Sequence, residues 1–385
     1  MNGGKILLFV SFFSFETIRN AISFDLIKIL IFNELHIIIQ INLEFHTNVC
    51  IFAAKMTTIT DIAAALGITP STVSRALAGN PRVKEETRIA VQKKAEELGY
   101  EPNVVASNLR KGQSRIVGIV VPRIHREFFS NVIGGAENVL NQAGYNILIC
   151  QTLESFDAEI KALKTLKNYR VAGVLLSHAI NSLSGKHVKE ILGSTPLVQF
   201  DRVFPDLPGA KIVGANCEGA YKATMHLIES GYKKIGTLAG FMTSQAYVER
   251  LAGYRMALEA SGLPYDNSIV FYNTIVRETG YEAALKAIEA GCDALYSSGA
   301  FSALGAVDAL REKGFKGADE FGIVATSNEG FTALMSPSLS TLNQHPFEMG
   351  EAAARAFLEG RVDTQVIPME LIIRQSSNKN NKWLK

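Results

Sequence analysis

The sequence predicts a small all-α headpiece with a helix-turn-helix, followed by a two-lobed α/β core built on parallel sheets. Three observations lead there. From Met56 to Gly112 the chain reads as short helices joined by Gly-containing turns. After Gly112 apolar runs alternate with helical stretches, the pattern of parallel strands covered by helices on both faces. There are also more such runs than one compact sheet of this width holds, so the core divides into two lobes, with a ligand expected at the carboxyl ends of the strands between them.

The 385 residues leave room for two or three domains. The formal net charge is only +2, so contact with a polyanion must come from a local site rather than from bulk charge. Cys50, Cys150, Cys217 and Cys292 lie far apart and form no CxxC or Cys/His cluster. This spacing argues against zinc or a disulfide framework and fits a reducing, cytoplasmic compartment.

Residues 1–55 stand apart, with roughly a third of them Ile or Phe, far above ordinary usage. As a signal peptide, the run after Lys5 lacks a small-residue cleavage site. As a membrane anchor, its apolar runs fall short of the ~20 residues needed to span a bilayer. An over-extended reading frame accounts best for the composition, and the segment is expected to lie outside the fold.

In the headpiece, expected over residues 56–102, Thr60 is taken as the cap of the first helix, with Ile62, Ala63 and Leu66 on one side and Gly67 at its end. Thr69 caps the second helix, Pro70 takes its first position, and that helix runs to Gly79. Val73, Ala76 and Leu77 point inward, which leaves Ser71, Thr72, Ser74 and Arg75 outside. Short hydroxyls suit phosphates and base edges, and an arginine can grip guanine through two parallel hydrogen bonds. The third helix, Glu85 to Leu98, is expected to cover the others with Ile89, Val91, Ala95 and Leu98. Pro102 then breaks the chain, and Asn103 can cap a short helix within 103–114 that is too brief to stand alone in water.

In the core, expected over 115–374 with a tail at 375–385, the runs IVGIVV, NILICQ, AGVLLS and PLVQF are read as strands. So are KKIGTLAG, the run around Ile269 to Tyr272, DALYSS and FGIVATS. Candidate ligand contacts just past strand ends are Phe128, Phe129, Asp201, Tyr272, Ser327 and Gln344, together with Arg250. One of the two phenylalanines is expected to be core, and Asp201–Arg202 reads equally as a structural ion pair. A buried arginine facing a cleft needs an anionic or hydroxyl-rich partner. Enzyme chemistry finds no support: there is no GxSxG, no P-loop, no dinucleotide fingerprint and no His pair at metal-ligand spacing. His125, His178, His187, His226 and His345 are scattered and read as surface or satisfied structural groups. No catalytic residue, metal or cofactor is expected.

The segment TITDIAAALGITPSTVSRALAGNPRVKEETRIAVQKKAEELGYEPNVVASNLR resembles the LacI/GalR headpiece, with its TVSRAL core, VxxETR turn and LGYxPNxxAxxL ending. The rest resembles the type I periplasmic-binding-protein fold that usually accompanies it. The resemblance implies a dimeric repressor that binds operator DNA under control of a small metabolite, a sugar or sugar derivative. It extends the DNA-contacting set to Thr60, Asn80, Asn103, Ala106, Leu109 and Arg110. Leu109 would wedge into the minor groove from a hinge helix formed on DNA, with Lys111 and Arg115 near the phosphates. It also places lobe one at Arg115–Gly214 and lobe two up to about Asn343. Pro346–Glu359 would then return to lobe one and a last strand near Val366–Ile372 to lobe two. Arg250, in the RxxGY/F pattern of YVERLAGYR, would reach a polar group on the ligand. The chain departs from the family in having Gly299-Ala300 where many members have Asn-Asp, and Ala325-Thr326-Ser327 where many have Gly-Phe-Asp. A simple free sugar fits these departures poorly, and a phosphorylated, acidic or less polar ligand stays open. The rival reading is a secreted or membrane-tethered solute-binding protein with the same core.

Overall fold

A computed structural model describes residues 57–100 and 114–379. The chain divides into two units, Met1–Val104 and Val105–Lys385. The expectations for residues 1–55 and for Asn103, Ala106, Leu109, Arg110 and Lys111 lie outside the described residues.

The headpiece contains α1 (Ile59–Leu66), α2 (Pro70–Leu77) and α3 (Glu85–Glu97). The cap of α1 is Thr58, not Thr60. Thr58 Oγ1 accepts from the Asp61 amide while the Asp61 carboxylate accepts from the Thr58 amide at 2.8 Å. This reciprocal box satisfies two donors that Thr60, already inside the helix, would leave open. Gly67 follows at φ +64°, a conformation that costs glycine nothing. Thr69 caps α2 and Pro70 opens it, as expected, but the helix stops at Leu77, two residues before Gly79.

Ile62, Ala63, Val73, Ala76, Val91 and Ala95 form the headpiece core, flanked by Leu66, Leu77, Val83 and Tyr100. Two expected members are absent from it. Ile89 is 56% exposed, because two residues before Val91 is about 200° around a helix. Leu98, past the end of α3, is also exposed, and Tyr100 folds back in its place.

The core unit carries two six-stranded sheets. Lobe one contains β1 (Ile116–Val121), β2 (Asn146–Gln151), β3 (Gly173–Leu176), β4 (Leu197–Phe200) and β5 (Ala210–Gly214). Lobe two contains β6 (Ile235–Leu238), β7 (Val270–Phe271), β8 (Ala294–Ser297), β9 (Gly322–Thr326) and β10 (Ser340–Asn343). Near the end of the chain come β11 (Thr364–Ile367) and β12 (Glu370–Ile372). The orders are β11-β5-β4-β3-β1-β2 and β12-β10-β9-β8-β6-β7. All pairings are parallel except β12 on β10. In each sheet the order reverses beside the first strand of the lobe, which opens a crevice at the carboxyl edge.

The helices of lobe one are α4 (Glu127–Gln142), α5 (Phe156–Asn168) and α6 (Lys186–Leu192). Those of lobe two are α7 (Asn216–Glu229), α8 (Gln245–Ala260), α9 (Arg277–Glu289), α10 (Ala300–Glu312) and α11 (Phe331–Leu334). Helix α12 (Pro346–Glu359) returns to lobe one and packs on α4. Glycine sets how closely they approach. A Cβ on Gly135 would meet the Phe347 carbonyl, and one on Gly350 the Val132 carbonyl, so α4 and α12 touch backbone to backbone. Gly280 and Gly305 play the same part between α9 and α10.

Two boundaries differ from expectation. The single last strand is two strands: β11 pairs with β5 in lobe one, and β12 with β10 in lobe two. Pro368, with no N–H to give a ladder, stands between them. The expected tail belongs in part to the core. Ser376 and Ser377 are fully buried, and Ser376 donates to the Ile323 carbonyl at 2.7 Å and accepts from Ile323 through its own backbone oxygen. Its serine-rich sequence hid a segment that bonds to β9 inside the lobe-two sheet.

Candidate functional site

The headpiece presents one polar helical face. Val73 and Ala76 are completely buried, while Ser71 and Arg75 are exposed and Thr72 and Ser74 half-buried. Arg75 Nε donates to the Ser71 carbonyl at 3.2 Å, which lays the guanidinium along the outer face of α2. Thr69 Oγ1 lies 2.9 Å from the hydroxyls of both Ser71 and Thr72, forming a cluster at the helix start beside exposed Pro70. Asn80 Oδ1 accepts from the Arg82 amide at 2.9 Å, fixing the turn after α2. Thr60 is exposed on α1. In the core unit, Arg115 is held at the sheet edge, bonded to the Ala143 carbonyl at 3.3 Å and lying over Tyr145.

The second site is a cavity of about 120 Å³ between the lobes, at the carboxyl ends of the strands. It gathers Phe128, Phe129, Asp201, Arg250, Ser327 and Gln344, all from the sequence-derived set. A wider space of about 310 Å³ is also lined by Phe128, Ser327 and Gln344. Phe129 is the core member of its pair, 5% exposed, and Phe128 stands edge-on to it. Tyr272 does not line either cavity: it is exposed on the far side of a short strand, with its hydroxyl on Asn267. With β7 only two residues long, the chain turns away before Tyr272 can reach the cleft. Asn328 serves the fold, its oxygen accepting from Arg374 and Thr341.

Sequence reasoning missed Arg126, Glu154, Tyr247, Phe301 and Glu329, which also line the cavity. The signal was present: Glu154 follows β2 and Glu329 follows β9, at the same strand ends that gave the other candidates. Glu154, Asp201 and Ser327 share a positive φ, at +64°, +58° and +83°. Non-glycine residues held there are costly and gather at functional sites.

Charge in the cavity is unevenly compensated. Arg202 grips Glu154 at 2.6 and 3.2 Å, so Arg202 is committed within the protein, while its distance to Asp201 is 3.8 Å. Arg250 is buried and donates to Asn216 Oδ1 at 2.8 Å and the Ser298 carbonyl at 2.9 Å. Burial pushes the Asp201 and Glu329 carboxyls up, against the opposing pull of nearby arginines.

Histidines remote in sequence meet in lobe one. Glu159, fully buried, accepts from His187 Nε2 at 2.7 Å and from His178 Nδ1 at 3.1 Å, as well as from the Ala179 amide and the Ser182 hydroxyl. Gln199, its amide oriented by Phe204, offers its oxygen to His178 Nε2 at 3.1 Å. Glu159, His178 and His187 lie close enough together to share an ion. The hydrogen bonds tie Glu159 and His178 into a buried structural network that His187 joins through Nε2. Burial alone would raise the Glu159 carboxyl, but the two imidazole bonds, the His178 charge and the Ala179 amide outweigh it and hold the group at about 2. A carboxyl depressed from 4.5 to about 2 stabilises the fold above pH ~4.5, and that contribution disappears as pH falls toward 2. Asp201 and Glu329, shifted upward, act with the opposite sign. The stability gap between wild type and Glu159→Gln, measured by urea unfolding, is therefore expected to be full at pH 7 and to narrow below pH ~4.5.

Comparison with known proteins matches both the headpiece and the core to one family. Residues 114–361 match the family model described as periplasmic binding proteins and sugar binding domain of LacI family. Residues 58–103 match bacterial regulatory proteins, lacI family. The HTH-type transcriptional repressor PurR of Vibrio atlanticus (strain LGP32) is 30% identical over 311 residues, 79% of this chain and 92% of that protein. The HTH-type transcriptional regulator DegA of Bacillus subtilis (strain 168) is 29% identical over 334 residues, 84% and 99% of the two chains. Among solved structures, the transcriptional regulator CelR-cellobiose complex aligns with a TM-score of 0.64 at 26% identity, covering 83% of this chain and 99% of that one. A lac repressor dimer bound to operator and the anti-inducer ONPF aligns at 0.73 and 22% identity over 84% and 99%, a likeness of fold. Among the described residues no helix is long and apolar enough to cross a membrane.

Proposed function

Because the chain belongs to the LacI family of bacterial regulatory proteins, we propose that it is a cytoplasmic transcription repressor whose grip on operator DNA is set by a small metabolite. The observation that carries this reading is the division of α2. Val73 and Ala76 are completely buried, while Ser71 and Arg75 are exposed on the opposite face of the helix. A short helix of this kind enters the major groove with its N-terminal residues toward the base edges. Ser71, Thr72, Ser74 and Arg75 supply the donors there, and Pro70 and Asn80 shape the two ends. Two copies joined through their cores would read a near-palindromic operator, as dimeric helix-turn-helix proteins do.

The cleft supplies the control. A ligand that binds one arrangement of the lobes better than another shifts the population, and the change in DNA affinity cannot exceed that preference. A hinge in 103–114 with Leu109 as a wedge would transmit the change. The relatives are transcription regulators. A secreted solute-binding role is not favoured, since the family match over 58–103 covers a helix-turn-helix that a periplasmic receptor has no use for.

Footprinting on the region upstream of its own gene tests the reading. A protected palindrome is expected. Arg75→Ala is expected to weaken operator discrimination by about 1–3 kcal/mol while non-specific binding changes little. Binding no tighter to any upstream sequence than to random DNA would sink the proposal.

A further inference from the structure

The cleft holds more positive charge than the protein itself balances. Its arginines are Arg123, Arg126, Arg202 and Arg250, and its carboxylates Glu154, Asp201 and Glu329. Glu154 is taken by Arg202 in a two-pronged pair, with Arg123 Nε 4.0 Å away. Glu329 accepts from the Glu127 amide at 3.2 Å and from Ser327 Oγ at 3.4 Å. Arg250 donates only to neutral oxygens, and its second terminal nitrogen has no hydrogen bond among the described residues.

Arg126 is the most exceptional of these groups. Its side chain makes no hydrogen bond or salt bridge among the described residues. Instead its guanidinium carbon sits over the Phe301 ring, 3.4 Å from the centroid, with the arginine from lobe one and the ring from lobe two. Burial pulls its pKa down, and repulsion from Arg123 adds to that despite the pull of Glu329. A half-buried guanidinium that lines a cavity without a hydrogen-bond acceptor is costly until one arrives. Stacking holds the fork in place, so little freedom is lost when it binds.

We propose that the effector of this cleft is an anion, a small hydroxyl-bearing metabolite with a carboxylate or phosphate group, and that Arg126 is the residue that selects it. This rests on the reading of the cleft as the effector site. The charged group is bound by the fork of Arg126, with the free nitrogen of Arg250 as a second donor. The hydroxyls meet Ser327, Gln344 and Asp201. A neutral sugar would leave Arg126 unpaired, which gives the site a penalty against the uncharged parent compound.

Calorimetric titration of the full chain at constant ionic strength tests this. The probes are matched sets of aldoses, their phosphates and their aldonic acids, with Arg126→Gln and Arg126→Lys alongside wild type. At least one acid or phosphate is expected to bind about tenfold or more tightly than its neutral parent. Arg126→Gln is expected to lose that advantage and Arg126→Lys to recover part of it, while both keep a cooperative unliganded melting transition that shows the core is folded. Neutral parents binding as tightly as their anions, or anion affinity indifferent to Arg126→Gln, would overturn the assignment and leave the regulatory reading intact. Silence toward all three sets, with operator binding unaffected by any of them, would overturn both.

Discussion

Glu159→Ala is expected to destabilise the core by about 3–5 kcal/mol, a large share of a domain's usual margin. Glu159 is completely buried and takes four donors: two imidazoles, one amide and one hydroxyl. Removing it strands all four at once beneath α5, and His178 keeps only its contact with Gln199. Glu159→Gln keeps the shape, and its amide can replace one carboxylate oxygen only if the two imidazoles change tautomer to accept from it, so it is expected to recover part of the loss. The two imidazoles bring His178, at the end of β3, together with His187 on α6, so the loop between them should become the first part of lobe one to exchange its amide hydrogens. Urea unfolding at pH 7 reads the loss. A cost below about 1 kcal/mol would mean that the network does not hold the lobe.

The second large effect is expected at Gly350. An added methyl group there would overlap the Val132 carbonyl oxygen, and no side-chain rotation relieves a clash with backbone. Helices α4 and α12 would have to separate, opening voids around Met349, Ala353 and Val132 in the lobe-one core. Gly350→Ala is expected to cost about 3 kcal/mol or more. Gly134→Ala is the internal control, because its added methyl group would meet only the Phe347 ring at 3.8 Å, an ordinary contact. There the helix preference for alanine should dominate, for a gain of about 0.5–1 kcal/mol. Equal melting temperatures for the two variants would refute the close-packing account.

How much was legible in the sequence depended on how local each signal was. The cap at Thr69, Pro70 at the helix start and the burial of Val73 and Ala76 follow from spacing along one helix. The runs IVGIVV and NILICQ are strands over the very residues that periodicity gave. The first cap was misplaced because threonines stand at both 58 and 60, and the choice turns on Asp61 reaching back. The β11–β12 division was missed because one apolar stretch serves two sheets, and only the partners of each half tell them apart. The cleft was half legible. Residues immediately past strand ends could be named, whereas Arg126 and Phe301 become a pair only when the two lobes face each other. The Glu159 cluster was invisible for the same reason, its members lying on different elements.

The chain crosses between the lobes three times among the described residues: after β5, between β10 and α12, and between β11 and β12. Three parallel tethers let two bodies tilt or twist against each other but strongly resist sliding apart. One tether ends at Asn216, the residue that Arg250 holds from the cleft, while Asn216 also donates to Glu249. A molecule drawing on the Arg250 guanidinium therefore tugs directly at a pivot, so occupancy of the cleft can be converted into an angle between the lobes without passing through their packed interiors.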